Sequence, residues 1–191
     1  MQTTKLQDDK AALRTSQKLL RKERDLNARS AASDQICQHL VAQLAQEPRL
    51  RLGAFMAIRG EVDLNAVLPL LPEHQWYLPK VINKDEPLCF GAWEPHQLVP
   101  GAYGILEPRE PFERVDALDM VLVPGLAFTR QGHRLGMGGG FYDRTLNGYG
   151  GKVIGVAYEE EVLETLPWGE LDRRMDALVT PQGWLQCTAE I

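Results

Sequence analysis

Cysteine is scarce: Cys37, Cys89 and Cys187 are the whole complement of a 191-residue chain. They are odd in number, far apart and in no metal-ligand spacing. That excludes a disulfide scaffold or a zinc ribbon and reads as reduced thiols in a cytoplasmic compartment. Basic charge is short as well. Lys and Arg number 21 against 26 Asp and Glu, a net charge of −5, whereas sequence-blind nucleic-acid binding wants a basic surface, so no nucleic-acid partner is expected. No apolar run approaches the ~20 residues of a membrane span, so no membrane partner is expected either. The opening Met1 to Lys10 carries acids and no apolar core, unlike a signal peptide. Internal repeats, linkers and low-complexity tracts are missing. So is any Ser/His/Asp or Cys/His constellation, since His39, His74, His96 and His133 are scattered.

What is present suits one globular unit over residues 1–191. The composition is 44% hydrophobic and 25% charged, and a chain of this size can bury a proper core. The first half-dozen residues are expected to fray. A helix is predicted from about Asp8 to Asn27, with Lys10, Arg14, Lys18 and Arg21 along one face and Leu13 and Leu20 on a neighbouring one. A second helix is predicted from Ser30 or Ser33, carrying Ile36, Leu40 and Leu44 and stopped by Pro48.

Continuous apolar runs at Leu52–Ile58, Asp119–Val123 and Lys152–Tyr158 read as strands buried on both faces. Weaker strands are predicted at Trp76–Pro79, at an edge because of the proline, and at Leu88–Phe90. A last strand is predicted at Ala177–Thr180, and short helices before Pro72, from about Gly139 or Gly140 to Leu146, and over Glu159–Leu166. Strands that alternate with helices predict an α/β layer sandwich around a mostly parallel sheet.

The most informative stretch is Arg134-Leu135-Gly136-Met137-Gly138-Gly139-Gly140-Phe141-Tyr142-Asp143, between a buried strand and a helix. Four glycines in five positions leave backbone N–H groups uncovered and free to take unusual dihedrals. A helix N-terminus behind them adds partial positive charge. Together they make a phosphate cradle. Arg134 can add a fixed cation, and Asp143 is placed to hold a magnesium ion that bridges phosphates. The loop lacks the Lys-Ser/Thr ending of a Walker loop and lies well beyond its strand, so neither standard nucleotide fingerprint is met.

The fuller wording narrows the field. Val123 to Phe128, then Gly132-His133-Arg134-Leu135-Gly136, then Gly138 to Arg144 resembles the signature of the 5-formyltetrahydrofolate cyclo-ligases. The resemblance begins at Lys10 to Arg14, continues through Phe55 to Glu61 and ends at Leu171 to Asp176. It implies a three-layer α/β/α sandwich similar to sugar-phosphate isomerases and coenzyme A transferases. It also implies ATP and 5-formyltetrahydrofolate as substrates and magnesium as cofactor; a monomer is expected. By the same resemblance Lys10, Arg14 and Arg134 bind ATP phosphates and carry the catalysis. Arg134, Leu135, Gly136, Met137, Gly138, Gly139, Gly140, Phe141 and Tyr142 wrap the nucleotide.

Met56, Glu61, Met137, Gly138, Gly139, Gly140 and Phe141 are implied to contact folate, and Asp143 and Asp172 to ligate magnesium. Glu61 is suited to accept hydrogen bonds from the donor edge of a pterin, and Phe141 to stack on its flat ring. Lys18 and Arg21, outside the motif, read as a solvated basic face. Two other readings stand beside the ligase: an isomerase or acyl transferase on the same fold, active without ATP, and a non-catalytic folate- or nucleotide-binding paralogue.

Overall fold

The computed structural model describes residues 2–101, 104–169 and 172–188; Leu171, where the last segment of the family signature begins, lies outside them. Three helices are α1 (Gln2–Glu23), α2 (Leu26–Leu44) and α3 (Phe141–Thr145). The strands of the main sheet are β1 (Arg51–Gly53), β2 (Gln75–Lys80), β3 (Cys89–Ala92), β6 (Phe112–Glu113), β7 (Met120–Pro124), β10 (Lys152–Val156), β12 (Ala177–Thr180) and β13 (Gly183–Gln186). Short strands β4 (Val99–Pro100) and β5 (Leu106–Glu107) form a hairpin. Strands β8 (Ala127–Thr129), β9 (Arg134–Leu135) and β11 (Val162–Leu163) make a small second sheet.

The main sheet has eight strands in the order β13-β12-β10-β7-β1-β2-β3-β6. Its centre is parallel: β12, β10, β7, β1 and β2 run the same way, with β13 and β3 antiparallel at the flanks. The predicted mixed α/β class with a mostly parallel sheet is therefore observed. Side-chain alternation sorts the core into two layers. Met120 and Leu122 of β7 face a cluster with Ile36, Leu40 and Leu44 of α2. Val121 and Val123 face the opposite cluster with Phe128, Leu146 and Tyr149. The second layer is thin, since α3 is its one α-helix among the described residues and spans five of them.

Several boundaries differ from the sequence reading. α1 is helical from Gln2, where fraying was expected. α2 starts at Leu26 rather than at Ser30 or Ser33, because the Asp25 carboxylate accepts from the N–H groups of Asn27 at 3.0 Å and Ala28 at 2.9 Å. The run after Gly53 leaves the sheet, and the helix predicted before Pro72 shrinks to a 3₁₀ turn at Leu68–Leu70. Glu159–Leu166 holds only another such turn and the strand β11.

β2 is interior rather than at an edge. Tyr77 O accepts from Ala54 N on the β1 side, and strand alternation turns the Pro79 nitrogen the same way. There it lies beyond the end of β1, where no strand needs a donor. No helix of the described residues is long and apolar enough to cross a membrane.

Candidate active site

A cleft of about 530 Å³ opens beyond the carboxyl ends of β1, β2 and β7, where ligand sites of parallel α/β sheets gather. Its floor is Phe55 and Met56 after β1 and Pro124 and Gly125 at the end of β7; the glycine loop and α1 form its walls. Of the residues singled out from the sequence, Lys10, Arg14, Met56, Glu61, Arg134, Gly136 to Gly140, Phe141, Tyr142, Asp143 and Asp172 all line this one cavity. Residues up to 162 positions apart meet there, as Lys10 and Asp172 do. Leu135 does not reach the cleft. Alternation along β9 turns Arg134 toward it and sends Leu135 beneath the loop, into a small cluster with Leu126, Ala127 and Leu166.

The loop is held by its carbonyls. Arg14 Nε donates to Gly136 O at 3.0 Å, and an Arg144 terminal nitrogen donates to Gly139 O at 3.0 Å. Among the described residues, no acceptor takes the N–H groups of residues 137–140. Gly138 has φ +105° and Gly140 φ +68°, dihedrals that L side chains resist. Gly140 caps α3 in the left-handed conformation. The result is a loop of unengaged amides in front of a helix start, flanked by cations.

Each acid in the cleft meets a cation. Arg134 donates to Asp143 Oδ1 at 2.5 Å and to Pro124 O at 3.3 Å, and lies over the Tyr142 ring at 5.5 Å. Lys10 Nζ donates to Asp172 Oδ2 at 2.6 Å, and the Gly169 N–H reaches the same oxygen at 2.9 Å. Burial pushes the Asp172 carboxyl up. The Lys10 and Gly169 hydrogen bonds, with the charges of Lys10 and Arg134, outweigh it and hold the group below the usual aspartate range. Arg134 therefore bonds one acid and faces the other. Among the described residues no group of three or more His, Cys, Asp or Glu stands ready as a cation cage.

The other end of the cleft is more apolar, with Leu78, Pro79, Val81, Leu88 and Ile105 along its wall. Glu61 is buried beside α1 and the turn after β10. Its Oε2 accepts from Ile58 N at 3.2 Å, and its Oε1 lies 3.8 Å from an Arg21 terminal nitrogen. Burial pushes the Glu61 carboxyl up to about 7, against the pull of the Ile58 N–H and the Arg21 charge. The Tyr142 hydroxyl is buried without a hydrogen-bond partner among the described residues, and burial raises it further from ionisation.

The sequence reading missed Arg21. It is 3% exposed, not solvated. Its guanidinium reaches Glu161 Oε1 through Nε at 2.9 Å and a terminal nitrogen at 2.7 Å, and the same terminal nitrogen donates to Gly125 O. Its spacing of i+7 from Arg14 puts both on one helix face, which was the available signal. Lys18 is exposed, as expected.

A mostly parallel α/β sheet with a loop of free amides at its carboxyl edge, beside Lys10, Arg14, Arg134, Asp143 and Asp172, defines the class: an α/β protein whose cleft suits an anionic ligand. The comparisons sharpen that class. Residues 6–181 match the 5-formyltetrahydrofolate cyclo-ligase family, and the chain belongs to it. A 5-formyltetrahydrofolate cyclo-ligase of Escherichia coli K12 is 36% identical over 145 residues, 68% of this chain and 77% of that protein. One from Mycolicibacterium smegmatis is 40% identical over 101 residues, an alignment that spans 50% of this chain and about half, 52%, of the relative. The structure of a 5,10-methenyltetrahydrofolate synthetase from Aquifex aeolicus superposes with a TM-score of 0.81 at 32% identity, covering 95% of this chain and 94% of that one. A Mycoplasma pneumoniae synthetase gives 0.75 at 26% identity, covering 91% and 99%.

Proposed function

We propose that the chain joins N5 and N10 of 5-formyltetrahydrofolate through the formyl carbon, using ATP, to give 5,10-methenyltetrahydrofolate, ADP and phosphate. The observation that carries this reading is the unengaged amides of residues 137–140 beside Lys10, Arg14 and Arg134 in one cleft. The formyl oxygen is a poor leaving group. Transfer of the γ-phosphoryl group to it gives an imidate phosphate. N10 then attacks the formyl carbon, the C–O bond breaks with loss of phosphate, and the ring closes.

Such chemistry asks the protein for in-line placement and charge neutralisation more than for covalent help. Lys10, Arg14 and Arg134 neutralise phosphate oxygens, and the loop amides bind them. Lys10 leaves Asp172 and Arg134 leaves Asp143 as the nucleotide enters. The freed carboxylates suit magnesium, which prefers hard oxygen ligands and is commonly shared between one or two carboxylates and substrate phosphates rather than caged by protein alone. Asp143 and Asp172 would hold it, and when bound it neutralises charge on the triphosphate. Met56, Met137 and Phe141 contact the folate rings, and Glu61 accepts from the pterin N–H edge. Leu135 supports the loop from beneath. The reduced thiols suit a cytoplasmic enzyme, and the residues named for the site all come from one chain, which suits a monomer.

The test mixes protein, 5-formyltetrahydrofolate and Mg·ATP and follows the near-ultraviolet absorbance of the methenyl product alongside ADP. Product and ADP in equal amounts are expected. Product formed without ATP would favour the isomerase or acyl-transferase reading, and neither product nor ADP would leave a binding paralogue.

A further inference from the structure

Arg21 makes more contacts than a structural ion pair requires. Its guanidinium grips Glu161 with two nitrogens and the Gly125 carbonyl with one of them. The remaining terminal nitrogen is fully buried, has no hydrogen-bond partner among the described residues, and points at Glu61 Oε1 across 3.8 Å. Gly125 lies in the cleft floor at the end of β7. Arg21 also sits on the α1 face that carries Lys10 and Arg14, so one helix face reaches the glycine loop, Asp172 and Glu61.

We propose that Arg21 is a positioning residue that fixes the Glu61 carboxylate at the folate end of the cleft and ties it to the helix that holds the nucleotide phosphates. This rests on the folate reading above. A pterin offers N–H donors, and an ionised carboxylate accepts them, whereas a protonated one loses acceptor capacity.

Charged and titratable groups approach Glu61 from several elements. Arg21 faces it from α1, Glu161 from the turn after β10, Arg59 from its own loop and the Tyr142 hydroxyl from α3. Arg29 of α2 packs against Gly60 in the Glu61 loop, and the Tyr158 hydroxyl donates to Glu61 O at 3.2 Å. Burial opposes ionisation; Arg21 and Arg59 favour it and Glu161 opposes it. Removing Arg21 therefore weakens folate binding at and below neutral pH and spares it at high pH, and removing the charge of Glu161 does the reverse.

The experiment measures 5-formyltetrahydrofolate binding to the full chain by calorimetry without nucleotide, between about pH 6 and pH 9, with binding of a non-hydrolysable Mg·ATP analogue measured in parallel. In the unaltered protein, folate affinity is expected to rise through about pH 7 as Glu61 ionises. In Arg21→Gln the midpoint moves up by about one unit, so affinity falls by roughly fivefold at pH 7 and approaches a tenfold loss at pH 6, and it recovers at high pH. Arg21→Lys, which keeps the charge, restores the midpoint. Nucleotide affinity changes by less than about twofold, since Lys10, Arg14 and the loop are untouched.

Glu161→Gln guards against a misfolded Arg21→Gln: it leaves Arg21 with Glu61 as its nearest carboxylate, and the midpoint moves down. An unmoved midpoint in both variants, or equal loss of folate and nucleotide binding at every pH, overturns the assignment. No folate binding by the unaltered protein would overturn the folate reading itself, a result distinct from a midpoint that fails to move.

Discussion

Gly138→Ala tests the cradle most directly. Gly138 has φ +105°, outside the range L residues adopt without strain. Space is not the obstacle: an added Cβ would meet the Arg14 side chain at 3.5 Å, an ordinary contact. The penalty is conformational, about 1–3 kcal/mol for a residue held in such a region. A surface loop can escape it by changing shape, so the melting temperature should fall little. ATP binding must pay to restore the shape, and 1–3 kcal/mol weakens affinity by about 5- to 150-fold.

Gly148→Ala is the control. Gly148 has φ +76° and nothing within 4 Å of an added Cβ. It carries a similar strain of about 1–2 kcal/mol but does not line the cleft. The KM for Mg·ATP, read from methenyl product absorbance, should rise in Gly138→Ala and stay unchanged in Gly148→Ala. An unchanged KM in Gly138→Ala, with the substitution confirmed, refutes the claim that this loop conformation grips phosphate.

Arg134→Ala removes the bonds to Asp143 and Pro124 O and a cation at the phosphate end. Turnover should fall by about 10²–10³-fold with the melting temperature within about 3 °C of the starting protein, and preserved turnover would take Arg134 out of the chemistry. Asp143→Asn should raise the magnesium concentration needed for half-maximal rate, whereas an unchanged magnesium titration would remove Asp143 as a ligand. Asp25→Ala deletes the cap of α2, so thermal unfolding should show a loss of about 1 kcal/mol with catalysis intact; no loss would mean that the two Asp25 hydrogen bonds contribute nothing net.

The interior of this protein was readable where burial dictates composition. Met120–Pro124 and Lys152–Val156 lie side by side in the middle of the sheet, covered on both faces, so nearly every residue must be apolar. Gly139 and Gly140 both offered a start for α3, and Gly140 is the cap, in the left-handed conformation that glycine tolerates. Boundaries set by single side-chain bonds were harder. Asp25 competes with Ser30 and Ser33 as a cap, and only the chain path decides among them. β13 was missed because its register is fixed by pairing with β12, its residues are half-buried or, at Gln186, exposed, and nothing in Gly183–Gln186 alternates cleanly. The site was legible through the family signature more than through chemistry: without it, Glu61 is an ordinary loop acid and Asp172 an ordinary cap.

α1 shows why Arg21 escaped notice. Amphipathic reasoning assumes that the apolar face is the buried one. Here Leu19 and Leu20 are 56% and 54% exposed while Lys10, Gln17 and Arg21 are 8%, 7% and 3% exposed. The helix turns its polar face inward because it covers the carboxyl edge of the sheet, where carbonyls, acids and a ligand cleft wait, and Leu13 alone of its leucines packs against the cluster under the loop. Burying charge this way is costly unless each group finds a partner, and Lys10, Arg14 and Arg21 each do. Three cations at i, i+4 and i+11 on a helix with too few apolar residues to anchor it are therefore better read as the docking face than as the solvent face. A helix held by polar contacts to the site it serves will respond when substrates replace those contacts.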